Sequence, residues 1–212
     1  MKLAVITATI GEKRRAMFTP NQINPAVNYV CFADRAVTVR GAWKVQRVER
    51  DHSITSVMQA KRYKIMAHEM VPDADAIMWC DSHCRLMCDP LKVFDEFSEC
   101  LGLVLHPRGC VYRELRACRK QKKDAPYRLE RTAEILQNRL HHPARAGVYY
   151  GGFIARRITP ESNRLMKAWW QMIGQTTQRD QISLPVVLAR DHVPFHVFGR
   201  GRRPEMFQIK GK

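Results

Sequence analysis

The fold class this sequence predicts is α/β, one domain on a mainly parallel sheet flanked by helices, and three observations predict it. Short runs rich in Val, Ile, Thr and aromatic residues alternate with longer stretches at helical spacing. One of the runs, Ala76-Ile77-Met78-Trp79-Cys80, is apolar throughout, as a strand buried on both faces must be. The chain has 212 residues, 45% hydrophobic and 26% charged, enough to bury a sizeable core in a soluble domain.

Taken in order, Lys2 to Thr9 is a strand, too short an apolar run for a signal peptide. A polar, basic loop follows it. Asn28 to Ala33 is a second strand, ending at Asp34, and Trp43 to Val48 a third, short one. Ser53 to Met70 is a helix, with Ser53 as its cap and Pro72 as its stop. After the buried strand come a short amphipathic helix from Leu91 to Cys100 and a strand from Leu101 to Leu105. Two basic helical stretches follow, from about Val111 through Lys123 and from about Pro126 to Leu140. Gly147 to Ile154 is strand-like. Ser162 to Ile173 and Asp180 to Leu188 are helices, and Phe195 to Phe198 is a last short strand. Residues from about 199 onward read as a basic C-terminal tail. No run approaches the roughly 18 apolar residues a membrane span needs. The expectation is a soluble, cytoplasmic protein with no membrane partner.

The chemistry concentrates where the buried strand ends, in Trp79-Cys80-Asp81-Ser82-His83. Strand residues two apart share a face, so Asp81 and His83 are placed to hold one divalent ion together. Imidazole suits Mn²⁺ or Zn²⁺ better than Mg²⁺, which makes Mn²⁺ the first choice and Mg²⁺ the second. A turn aspartate and a structural histidine are the plain alternatives. His192 and His196 are candidates for a third ligand, with His196 preferred. Thr7, Ala8 and Thr9 end the first strand, where open α/β sheets bind ligands. Arg14 or Arg15 in the next loop can pair with phosphate. Lys61 and Lys64 lie about one helical turn apart and share a face, turned either to a diphosphate or to solvent. Gly151 and Gly152 let backbone approach a ligand closely, or mark a bulge.

The net charge of +16, from 36 basic and 20 acidic residues, favours a polyanionic partner, DNA before others. Between Arg108 and Arg145 there are eleven Lys or Arg against four Asp or Glu. The densest part is Arg113, Arg116, Arg119, Lys120, Lys122 and Lys123, and Arg202 and Arg203 add to it near the C-terminus. Such clusters are either solvated surface or a track for a phosphate backbone. Seven cysteines, an odd number, read as reduced thiols. The spacing of Cys80, Cys84 and Cys88 is not that of a usual zinc site.

With these residues in order, the chain resembles GT-A type glycosyltransferases, which have a Rossmann-like fold. Its likeness is to the TOD1/MUCI70-like glycosyltransferase-like family and to phage DNA glycosyltransferases associated with TET/JBP-type oxygenases. The pieces that carry it are Tyr29 to Asp34, Lys61 and Lys64 before Pro72, Trp79 to His83, His106 to Glu114, and Arg179-Asp180-Gln181. His83 departs from the Asp-x-Asp of many GT-A enzymes. The resemblance implies a UDP-sugar donor, a divalent metal and a hydroxyl acceptor, a hydroxymethylated base in DNA or else a glycan. It implies that Asp34 reads a pyrimidine, where the alternative is a loop-capping aspartate. It also implies that Asp180 and Gln181 contact the transferred sugar or the acceptor, although Asp180 is equally a helix cap. A nucleic-acid-binding protein without catalysis is the reading from another class.

Overall fold

The computed structural model describes residues 1–11 and 17–209. The chain opens with β1 (Leu3–Thr9), β2 (Asn28–Ala33) and β3 (Lys44–Arg47). Next come α1 (Ser56–Ile65), α2 (Ala67–Met70), β4 (Ala76–Cys80), β5 (Cys84–Leu86) and α3 (Pro90–Asp95). The middle holds β6 (Leu101–Leu105), α4 (Val111–Lys120), α5 (Pro126–Glu134) and β7 (Tyr149–Arg157). Then α6 (Pro160–Gln175), α7 (Asp180–Asp191), β8 (His196–Phe198), α8 (Arg203–Met206) and β9 (Phe207–Ile209) complete the described chain.

Seven of these strands make one sheet in the order β3-β2-β1-β4-β7-β6-β8. All neighbours run parallel except β7, which is antiparallel to both β4 and β6. This is the α/β, mainly parallel, Rossmann-like class expected. Side chains alternate across the sheet. Ile6, Ala8, Ile77 and Trp79 enter one buried cluster with α6 and α7. Val5, Met78, Phe153 and Phe207 enter the other with α3 and β9. The helices on the first face are tied to each other where the Trp169 indole donates to Ser183 Oγ at 2.9 Å. Among the described residues, no helix is long and apolar enough to cross a membrane.

Several boundaries differ from expectation, each for a local reason. The cap of α1 is Thr55, whose Oγ1 accepts from Met58 N at 3.1 Å, while Ser53 is bonded to Asp51. The helix expected through Met70 breaks at Met66. α3 is capped by Asp89 with Pro90 at its first position, and it ends at Asp95, well short of Cys100. The second basic helix turns into a π segment at Ile135–Arg139. α6 starts at Pro160 because Thr159 and Ser162 form a capping box.

The expected C-terminal tail folds back instead. β9 pairs antiparallel with β5, two strands the sequence reading missed. Phe207 is fully buried and stacks on Phe153 at 5.7 Å between centroids. Arg202 is gripped by Glu96 at 2.6 and 2.7 Å. Burial of aromatic surface outweighs the charge of the segment.

Candidate active site

β1 and β4 run side by side, so their C-terminal ends open on the same edge of the sheet. A cleft of about 600 Å³ lies there, lined by Ala8, Lys61, Lys64, Trp79, Asp81 and His83 among others. β7 crosses this edge in reverse and brings Gly151 and Gly152 against β4.

Asp81 continues the β4 ladder, its N–H donating to Gly152 O at 2.9 Å. Its side chain shares a face with Trp79, two residues back. The Trp79 indole N–H donates to Asp81 Oδ1 at 2.6 Å, which fixes the plane of the carboxylate. His83 does come near, with Nδ1 4.0 Å from Asp81 Oδ2. The route differs from expectation: the chain leaves the strand after Cys80, and a turn closed by Cys84 N to Asp81 O, 2.8 Å, brings His83 round. The Asp81 side chain is 28% exposed and that of His83 45%.

Lys64 is the buried centre of the site, with a side chain 2% exposed. Its ammonium donates to Asp180 Oδ2 and to Gly151 O, and lies 3.9 Å from Asp81 Oδ1. It also sits 5.5 Å from the centroid of the Trp79 ring. Lys61, one turn earlier, reaches Asp180 Oδ1 at 3.1 Å with a side chain only 12% exposed. The two lysines therefore share a face, and that face is the cleft rather than solvent. Burial alone would raise the Asp180 carboxyl, but Lys61, Lys64 and Arg179 hold it well below the usual carboxylate range. Asp180 is thus a fixed anion, weakly basic, and it orients both lysines. It is the first residue of α7, with Arg179 at the cap position expected of Asp180. Gln181 follows it into the cleft lining.

The glycines matter for closeness. A Cβ on Gly151 would stand 2.6 Å from Asp180 Oδ2, and one on Gly152 3.3 Å from Asp81 Oδ2. Both strand positions lack side chains because carboxylates occupy the space.

Other expected residues are placed elsewhere. Ala8 lines the cleft, but Thr7 and Thr9 point to the opposite face of the sheet, as β alternation requires. Asp34 accepts Gly11 N at 3.0 Å on both oxygens, the loop-capping role, and is not among the cleft-lining residues. Arg14 lies outside the described residues. His196 cannot join Asp81. It sits in β8, three strands from β4, roughly 14 Å across at the usual strand spacing, and its ring packs on Phe97 and Phe198. Of the basic set on and after α4, only Lys123 lines the cleft. Arg113, Arg116 and Lys120 are exposed on the outer surface, as is Lys122, and Arg119 pairs with Glu130 at 3.1 Å. Arg203 lies over the Tyr150 ring at 5.7 Å, at the cleft wall.

The residues present fit a divalent cation bound jointly with a ligand. Asp81 Oδ2 and His83 Nδ1 face one another at the partly open end of the cleft. Among the described residues no group of three His, Cys, Asp or Glu side chains is placed to hold a metal ion. Burial pushes Cys88 up to about 12 and Cys80 well above its usual value. Trp79→Phe removes the bond that aims Asp81. It is expected to weaken Mn²⁺ binding, measured in the presence of UDP, by about 10–100-fold, the usual cost of losing a group that orients a ligand. An unchanged Mn²⁺ titration would refute this role.

The sequence reading passed over Trp79 as part of an apolar run. The signal was its spacing of two from Asp81. It likewise gave no role of their own to Arg179 and Tyr150, which line the same cleft. Compared with known proteins, residues 16–209 match the model of the family described as TOD1/MUCI70, glycosyltransferase-like domain. No curated protein matches the chain.

Proposed function

We propose, from the premise that this chain belongs to the TOD1/MUCI70 glycosyltransferase-like family, that it moves the sugar of a UDP-sugar onto a hydroxyl with the help of a divalent metal. The observation that carries this is the Asp81 carboxylate, aimed by Trp79 at the end of β4 and backed by Lys61 and Lys64. Asp81 and His83 would hold the ion, Mn²⁺ before Mg²⁺. When bound it supplies positive charge to the departing diphosphate. Lys61 and Lys64 add fixed positive charge in a largely buried setting, where it stabilises a leaving anion most. Asp180 keeps both ammonium groups in place. Its carboxylate and the neighbouring Gln181 face the space where the sugar would lie. An anion so stabilised makes a poor proton acceptor, so a base-free, retaining course suits this site better than an inverting one with Asp180 as base.

The acceptor we favour is a hydroxymethylated base in DNA. The support is the net charge of +16 and the exposed cations Arg113, Arg116 and Lys120 beside the cleft-lining Lys123. A base within a duplex would have to be flipped out to reach the cleft. The test is incubation with Mn²⁺, a panel of UDP-sugars and hydroxymethylated DNA, followed by mass spectrometry of the nucleosides. A nucleoside heavier by one sugar is the expected product. Transfer to free glycans with none to DNA would reject the DNA acceptor and leave the glycan one.

A further inference from the structure

The cleft has a second cationic end. Arg108 follows β6, and β6 lies two strands from β4, roughly 10 Å across the sheet edge from Asp81. Arg108 Nη1 donates to Glu114 Oε2 at 2.5 Å. Glu114 is almost fully buried at the start of α4, whereas the Arg108 side chain is 33% exposed. The guanidinium is therefore held from behind and open in front.

Lys123 lines the same cleft, from the turn after α4. That turn is clasped to the segment before α7. Asp124 Oδ2 accepts from Thr177 Oγ1 at 2.5 Å and from Gln178 N at 2.8 Å. The clasp brings Lys123 to the same wall as Arg179. Arg179 Nε is buried and has no hydrogen-bond partner among the described residues. A buried donor left unpaired is costly and normally finds an acceptor. Of the two carboxylates lining the cleft, Asp81 accepts from Trp79, and Asp180 is bonded by the lysines and feels the charge of Arg179 as well. Arg179 also lines the cleft, so its guanidinium is available to an anion there.

We infer that Arg108, Lys123 and Arg179 form a second phosphate subsite, which holds a phosphodiester of the acceptor strand while the donor diphosphate occupies the Asp81 end. This rests on the donor site proposed above. All three line the one cleft, and guanidinium and ammonium donors suit a multi-oxygen anion. Lys120 and Lys122, close to Lys123 in the chain, are exposed and add positive charge to the surface there.

The test measures binding of a labelled single-stranded oligonucleotide by fluorescence anisotropy across salt concentrations, in phosphate-free buffer without donor. Lys123→Ala is expected to weaken binding and to reduce the slope of log K against log salt by about 0.7–1, the signature of one lost phosphate contact. Arg108→Lys, which leaves Glu114 a cationic partner, is expected to weaken binding in the same direction. Neutral methylphosphonate linkages should weaken binding to the wild type and have little further effect on Lys123→Ala. Unchanged affinity and slope in both variants would overturn the subsite. Inorganic phosphate binding as tightly as the oligonucleotide, with the same dependence on Lys123, would overturn its assignment to the acceptor. A failure of the donor proposal shows separately, as unaltered Mn²⁺–UDP binding in Asp81→Ala.

Discussion

Asp81→Ala is expected to abolish measurable Mn²⁺–UDP binding and to lower sugar transfer by at least about 10²–10³-fold, the range for removing one group that stabilises a leaving charge. Among the described residues no third metal-competent side chain joins Asp81 and His83. The nearest other carboxylate, Asp180, is bound by both lysines. The substitution also leaves the Trp79 indole without its acceptor, at a cost of about 1–3 kcal/mol in stability for a buried donor. The fold should survive, because the backbone bond from Asp81 N to Gly152 O does not involve the side chain. Asp81→Asn keeps an oxygen for Trp79 and separates the two effects: it should restore stability but not metal-dependent binding. DNA affinity should change little in either variant. Calorimetry with UDP and Mn²⁺, together with a transfer assay, reads both results, and wild-type turnover in Asp81→Ala would end the metal-site proposal.

Lys64→Met should be the most destabilising single change in the site. Methionine matches the length of the side chain, so packing is nearly conserved and the charge is what is lost. Lys64 bridges Asp180 and the Gly151 carbonyl with a side chain 2% exposed. Its removal takes the closest cation from Asp180, which keeps Lys61 and the Gln181 N–H, and takes the ammonium donor from the Gly151 carbonyl. Breaking such a buried pair costs about 3–5 kcal/mol, a large share of the total stability of an ordinary domain. The effect depends on pH in a definite sense. The lysines and Arg179 hold the Asp180 pKa below its unfolded value. The resulting stability is fully present above the unfolded carboxylate pKa, about 4. It is lost as pH falls through the folded value. Lys64→Met should therefore show a larger deficit at neutral pH than in acid, as read by urea unfolding at several pH values. A deficit under about 1 kcal/mol would mean that the ion pair is screened as a surface pair is.

Legibility in the sequence followed the range of the interactions. The apolar run Ala76–Cys80 and the alternation of elements along the chain sufficed for a mainly parallel sheet, because burial on both faces leaves its mark on neighbouring residues. Asp81 was legible for the same reason, as a charge that ends an apolar strand. Lys61 and Lys64 could be put on one helix face from their spacing. Which way that face points was not readable, since Asp180 lies more than a hundred residues further on. The apparent tail was misread because its charges are local while its reason for folding is not: Phe207 finds Phe153, and β9 finds β5, only in three dimensions. His196 was a candidate by residue type and by its place before a short strand, and the strand order removed it.

Periodicity and residue chemistry along the chain were thus enough to specify an α/β sheet, an acidic strand end with a histidine two residues on, and a strongly basic surface. These depend on near neighbours, whose spacing a strand or helix preserves. The ion network of Lys61, Lys64 and Asp180, the aim that Trp79 gives to Asp81, and the clasp of Asp124 on Thr177 and Gln178 belong to the tertiary structure. Each joins a donor to an acceptor whose mutual distance is decided by strand order and helix packing, and those follow from the burial of the whole chain at once.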